Sequence, residues 1–247
     1  MDKALYIAMS GAKQNMFAQR AHSNNLANVN TTGFKEDFAQ ARAMPVYGEH
    51  HPTRAYALTE RPATRFEQGP LQETGNSLDI AIKGEGWIAV ESPDGQEAYT
   101  RAGDLQIDVN GLLRTGTGLQ VLGEGGPIAI PPSASVEVGA DGAISILPLG
   151  GDAAIAQIDR VRLVNPDPAI LEKRGDGLLY VKEGNPLPEL DDAVRVESGF
   201  LEGSNVNAVA ALTEILSLSR QYELQVKLMG QADQNSEASA RLLQFSS

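Results

Sequence analysis

The sequence predicts an α+β fold: paired N- and C-terminal α-helices, coiled-coil-like, form a discontinuous helical domain, and a mostly antiparallel β domain is inserted between them. Three observations carry this. All 13 prolines lie between Pro45 and Pro188, and because proline removes a backbone donor and breaks helix interiors, both ends are free to form long helices. Apolar residues recur at helical spacing in the two ends and at a period of two in the middle. Asp-Gly and Asn-Gly pairs punctuate the middle where hairpins would turn. The expected organisation is residues 1–34 and 200–247 as the helical domain, 35–76 as an extended connector or arm, and 77–199 as the β domain.

From about Lys3 to Ala27 one narrow face carries Leu5, Met9, Ala12, Met16, Gln19, Ser23 and Leu26, which predicts the first helix. Asp2 suits its N-cap, and Asn28, Asn30 and Gly33 supply the stop. Phe34 to Tyr47 reads as a short helix or an extended arm, and His50 to Gln68, with Pro52 and Pro62, as a connector. Strands are predicted at Leu78–Ile82, Trp87–Val90, Leu105–Val109, Leu112–Thr115, Val136–Val138, Ile144–Leu147, Asp159–Val164, Leu178–Val181 and Ala193–Ser198. Asp94-Gly95, Asn110-Gly111 and Asp141-Gly142 mark the turns. Short strands with frequent turns point to an antiparallel sandwich or barrel-like domain.

From about Asn207 to Phe245 the helical period returns. Ile215, Tyr222, Met229, Ser236 and Leu243 fall seven apart, with Leu218, Gln225, Ala232 and Ser239 between them, so this helix carries a coiled-coil seam with polar interruptions. A second row, Leu224, Leu228, Ala238 and Leu242, points elsewhere. A helix apolar on two sides needs cover on two sides. The expected partners are the N-terminal helix and a neighbouring molecule.

Charge and composition exclude several functions. Residues 45–199 hold 12 Lys and Arg against 24 Asp and Glu, the whole formal charge of -12, which argues against binding nucleic acid or anionic lipid there. With no cysteine, disulfides, thiolate catalysis and Cys-ligated zinc are ruled out. No stretch has the apolar length of a membrane span, and the N-terminus does not read as a cleaved signal peptide. These features alone would assign the cytoplasm.

Catalytic and cofactor signals are scarce. His22, His50 and His51 lie in no metal-binding spacing, so no metal is expected. Gly116-Thr117-Gly118 and Gly123-Glu124-Gly125-Gly126 complete no phosphate-binding motif and read as turns. No nucleophile elbow surrounds any serine. Arg174-Gly175-Asp176 is a cell-adhesion tripeptide in letters only, since Asp176-Gly177 makes it a turn. The rival from a different class is a carbohydrate-active enzyme or sugar-binding β domain using Trp87 with Asp79, Glu85 and Asp104. It leaves both helical ends unexplained, and the position of Trp87, on a pocket wall or in a core, discriminates the two.

The informative stretches lie where the helices end. Ser23-Asn24-Asn25-Leu26-Ala27-Asn28-Val29-Asn30-Thr31-Thr32-Gly33-Phe34 resembles the signature of the bacterial flagellar axial proteins, the rod and hook family. Gly199-Phe200-Leu201-Glu202-Gly203-Ser204-Asn205-Val206-Asn207, Arg220-Gln221-Tyr222-Glu223 and, in the centre, Gly69–Ile82, Gly84-Glu85-Gly86-Trp87, Tyr99–Asp104 and Gly123–Ile128 are similar to that family too. Ala153 to Asp192 is the least diagnostic part. The opening Met1-Asp2-Lys3-Ala4-Leu5-Tyr6 and Arg42-Ala43-Met44-Pro45-Val46 look most like a proximal-rod subunit, with a distal-rod subunit the near competitor.

The resemblance implies a structural subunit with no catalytic, cofactor or metal site. It would self-assemble through its terminal helices into the helical axial tube that carries torque from motor to distal rod and hook. The implied partners are other proximal and distal rod subunits and the flagellar type III export apparatus, with no nucleic acid and no membrane insertion. The implied address is the basal-body rod across the periplasm, reached without a cleaved signal. The residues expected at subunit contacts are Leu5, Met9, Met16, Leu26, Asn28, Gly33, Ile215, Leu218, Tyr222, Met229 and Leu243. Such helices, short of partners in the isolated chain, are expected to order fully only on assembly.

Overall fold

The computed structural model describes residues 2–38, 41–46, 54–59, 63–149 and 154–244. His50, His51, Pro52 and Pro62 lie outside the described residues, as does the side chain of Leu243. The chain is α+β, with a helix at each end and antiparallel strands between, and it divides into two compact units.

The first unit comprises residues 1–28, 36–65 and 206–247. Helix α1 (Asp2–Ala27) begins at Asp2 itself rather than after it. It ends where the sequence places the stop: the Asn28 amide donates to the carbonyls of Asn24 and Asn25, and its side chain donates to Asn24 O at 2.9 Å. Four strands follow in two antiparallel pairs, β1 (Asp37–Phe38) with β4 (Ala63–Thr64) and β2 (Ala41–Val46) with β3 (Arg54–Thr59). Helix α2 (Ala208–Gln244) is capped by Asn207, whose Oδ1 accepts from the amides of Val209 at 3.0 Å and Ala210 at 3.1 Å. Helices α1 and α2 pack on each other.

The second unit comprises residues 29–35 and 66–205. Its strands are β5 (Leu71–Glu73), β6 (Ile80–Lys83), β7 (Trp87–Glu91), β8 (Glu97–Thr100), β9 (Leu105–Ile107), β10 (Leu113–Thr115), β11 (Gln120–Val121), β12 (Ser133–Val138), β13 (Ala143–Pro148), β14 (Ala156–Arg160), β15 (Leu163–Val164), β16 (Leu171–Lys173), β17 (Leu179–Val181), β18 (Arg195–Ser198) and β19 (Phe200–Glu202). The main sheet runs β16-β17-β8-β7-β11-β10-β9, with β15 also on β7. A meander β12-β13-β14 and the pairs β18-β6 and β19-β5 complete it.

Strand β7 explains the burial. Ile88 and Val90 enter the larger core with Ile80, Ile82, Leu113 and Ile144, while Trp87 and Ala89 enter a second core with Tyr99, Val164 and Leu179. Both faces are covered, so the run Trp87 to Val90 is apolar without alternation. The predicted strand Asp159–Val164 is two strands: β14 pairs with β13, then the chain switches sheets at Val161 and Arg162 so that β15 pairs with β7. The predicted strand at Leu78 starts later, at Ile80, because the Asp79 amide closes a turn on Asn76 O. The Asp94-Gly95, Asn110-Gly111 and Asp141-Gly142 turns form as the sequence predicts, as does the Asp176-Gly177 turn.

Candidate functional site

Besides Ser219, the sheltered residues among those described in α2 are Ala208, Ala211, Ile215, Leu218, Tyr222, Gln225, Met229, Ala232 and Ser236. Their spacing alternates three and four, which holds one narrow strip in line along a helix. In α1 the sheltered strip among the described residues is broader, Ala8, Ser10, Gly11, Ala12, Gln14, Asn15, Ala18, Gln19, Ala21, His22, Asn25 and Leu26, small or polar but for Leu26. A Cβ on Gly11 would lie 2.7 Å from Gln225 Nε2, so the bare glycine admits that side chain, and Asn15 Nδ2 donates to Gln225 Oε1 at 3.3 Å. The polar interruption of the seam is thereby satisfied.

The large apolar residues of α1 face elsewhere. Leu5, Met9 and Met16 are exposed, Met16 to 57%, together with Tyr6 and Phe17. The row through Leu5, Met9, Ala12, Met16, Gln19, Ser23 and Leu26 has two edges, and they face different ways. Ala12, Gln19 and Leu26 lie on the sheltered strip and the rest do not. On α2, Val209, Leu216 and Leu224 are exposed and lie on the side away from the seam, with Leu224 open to 59%, and Leu212, also exposed, flanks it. Leu228 of the second row is exposed as well.

Asn25, which the sequence reading did not single out, is fully buried at the end of α1. Its Nδ2 donates to Asp37 O at 2.8 Å and its Oδ1 accepts from the Asp37 amide at 2.9 Å. One amide side chain thus pairs with both backbone groups of a residue as a neighbouring strand would. The Arg65 amide donates to Glu36 O, and the two side chains form an ion pair at 3.1 Å.

The second unit carries a buried ionic cluster that sequence reasoning also missed. Glu202 has no exposed surface; its Oε1 accepts from Lys35 Nζ at 2.6 Å and from the Gly69 amide at 3.0 Å, and its Oε2 accepts from Arg101 Nη1 at 2.9 Å. Lys35 also donates to Glu67 O, and Arg101 to Gly84 O. Burial pulls both cations below their ordinary pKa values, and the Glu202 carboxylate opposes the shift. The Trp87 ring lies 5.1 Å from the Arg101 guanidinium and 5.9 Å from Lys35 Nζ, and meets Phe66 edge-on. Beside it, Lys173 Nζ stands 3.8 Å over the Phe34 ring and donates to Lys35 O.

Gly33 is buried against this cluster with φ of 68°. A Cβ there would come within 2.2 Å of the Arg101 carbonyl carbon, and the Gly33 amide donates to Glu202 O at 2.7 Å. Only glycine meets both demands.

Trp87 is 4% exposed and belongs to a core, so it offers no platform to a sugar. Asp79 and Asp104 face each other in a β-bridge, and burial raises the Asp104 pKa, with its Oδ1 lacking a partner. An open depression in the unit is lined by Glu124, Arg162, Glu189 and Leu190, none of them among those residues.

Comparison with known proteins adds to this geometry. Family models match residues 5–35 (Flagella basal body rod protein), 81–146 (Flagellar hook protein FlgE/F/G D1 domain) and 197–242 (Flagellar basal body rod FlgEFG protein C-terminal). The flagellar basal-body rod protein FlgF of Escherichia coli K12 is 38% identical over 252 residues, covering 100% of both chains, and that of Salmonella typhimurium LT2 is 36% identical over the same length and coverage. The basal-body rod protein FlgG of Buchnera aphidicola from Schizaphis graminum is 33% identical over 257 residues, 95% of this chain and 97% of its own.

Two predictions test the cluster and the acidic bridge. Glu202→Ala leaves two buried cations without their anion and should destabilise the β unit by about 3–5 kcal/mol in urea unfolding followed by Trp87 fluorescence. For Asp104 the folded chain holds the proton more tightly than the unfolded one. Stability is therefore lost as pH rises from the ordinary carboxylate value through the raised one, and the penalty is complete above it. Asp104→Asn should raise the urea midpoint more near pH 7 than near pH 3, where both side chains are neutral.

Proposed function

The chain belongs to the flagellar basal-body rod protein family, most like FlgF, and is a structural subunit of the rod; from that premise we propose that it polymerises through its terminal helices as a proximal-rod subunit. The observation that carries the assembly reading is the two-sided α2: a sheltered seam from Ala208 to Ser236 and, away from it, exposed Val209, Leu216 and Leu224. Exposed apolar surface of this kind marks an interaction site. The helices pair as a coiled coil within the subunit, and Leu5, Met9 and Met16 with the outer row of α2 pack against neighbouring subunits. Contacts of this sort between different patches do not close on themselves and propagate into a helical tube.

Residues 1–34 and 200–247 form the polymerising domain, residues 35–76 an arm, and residues 77–199 the β domain. Other rod subunits flank it, the type III export apparatus delivers it without a cleaved signal, and the assembled rod carries torque across the periplasm. Asn28 and Gly33 set how the chain leaves α1 for the arm. Leu26, Ile215, Leu218, Met229 and Leu243 complete the helical contacts.

Tyr222→Asp places a carboxylate in the seam and should abolish incorporation into isolated basal bodies and swimming, with Trp87 fluorescence unchanged; normal swimming would refute the assembly role of the seam. In dilute monomer, amides of both helices should exchange rapidly with solvent and become protected in assembled rods. Strong protection already present in the monomer would count against ordering on assembly.

A further inference from the structure

The chain passes between its two units four times, after residues 28, 35, 65 and 205. Within the β unit, the segments that lead to these passages converge on Glu202. Lys35 and Gly33 come from the segment 29–35, Gly69 from the segment after residue 65, and Glu202 itself stands three residues before Asn205. Asn205 closes the group, its amide donating to Phe34 O and its Nδ2 to Glu67 O at 3.1 Å. The helical unit clamps its own ends of the same passages, Asn25 to Asp37 and Glu36 to Arg65.

Building on the rod reading, we propose that Lys35 and Glu202 are positioning residues that make these passages one tie, through which force reaches the β unit. Electrostatics supports a dedicated tie. A carboxylate and two cations withdrawn from water cost stability relative to apolar packing of the same volume, and what they supply instead is a fixed partner geometry. The Arg101–Glu202 pair is neutral by itself; Lys35 adds a second cation, held over Trp87, whose bonds go to Glu202 and to Glu67 O. Both of those partners lie beside passages.

Lys35→Met is the test, because it keeps length and contact with Trp87 while leaving Arg101 and Glu202 in balance. In the isolated full-length chain, amide exchange should accelerate by roughly tenfold or more at Gly33 and Asn205, the loss expected for a hydrogen bond to a charged group, with Ala89 and Val90 unchanged. In cells the variant should enter rods at wild-type amounts yet drive slower rotation of tethered cells under load. A part that only stabilised the fold would lower rod yield instead. Unchanged exchange at Gly33 and Asn205 overturns the proposal. So does faster exchange with no rods formed, because the tie would then serve assembly rather than force. Absence of the wild-type chain from isolated rods would overturn the rod reading through a separate measurement.

Discussion

The carboxylate of Glu202 sits without any exposed surface between two cations and a backbone amide, and the order of the β unit around residues 29–35 follows from that single group. A buried charge must be compensated in place, so each donor that meets it is fixed to within hydrogen-bonding distance. Lys35 brings the segment that leaves α1, Gly69 brings the segment that returns, and Arg101 links both to the hairpin of β7 and β8. Trp87 then fills the space beneath the cations with a ring face that attracts them. Gly33 has no alternative side chain because the backbone of Arg101 occupies the place of its Cβ.

The helical unit is organised on a different principle. The strip of α1 that is sheltered is mostly alanine, glycine and polar side chains, whereas Tyr6, Met9, Met16 and Phe17 are outside. Small residues allow close approach but bury little apolar area, so the helix pair gains limited stability from its own interior. Its larger side chains are left for other contacts. The same chain thus holds a β unit with two well-filled cores and a helical unit whose apolar surface is largely unspent.

The legible parts of this molecule are those with a local signature. The seam from Ile215 to Ser236 could be read because a three-four alternation is a property of consecutive residues, and the hairpins because Asp94-Gly95, Asn110-Gly111 and Asp141-Gly142 each specify a turn alone. Strand β8 was harder: its core residue Tyr99 lies in a four-residue strand flanked by Glu97 and Arg101, too short for a period to show. Glu202 could not be paired from the sequence at all, since its partners lie 167 and 101 residues away. A weaker signal existed in Gly33-Phe34-Lys35 and Phe200-Leu201-Glu202, where one charge follows apolar neighbours in each of two motif-rich stretches. Asn25 was hidden among other asparagines, and only its own burial and its pairing with the backbone of Asp37 distinguish it.

The double anchoring of residues 29–35 has a consequence for how such a chain can change length. Asn25 and Asp37 pin the roots of this segment while Gly33 and Lys35 pin its body, so an inserted residue would have nowhere to go without releasing an anchor. The tip at Asp94-Gly95 carries no such constraint: both residues are open to solvent, and lengthening an exposed loop costs little entropy. An added residue is therefore accommodated at the Asp94-Gly95 hairpin, whereas the spacing between the first helix and the buried Lys35 is held to a fixed count.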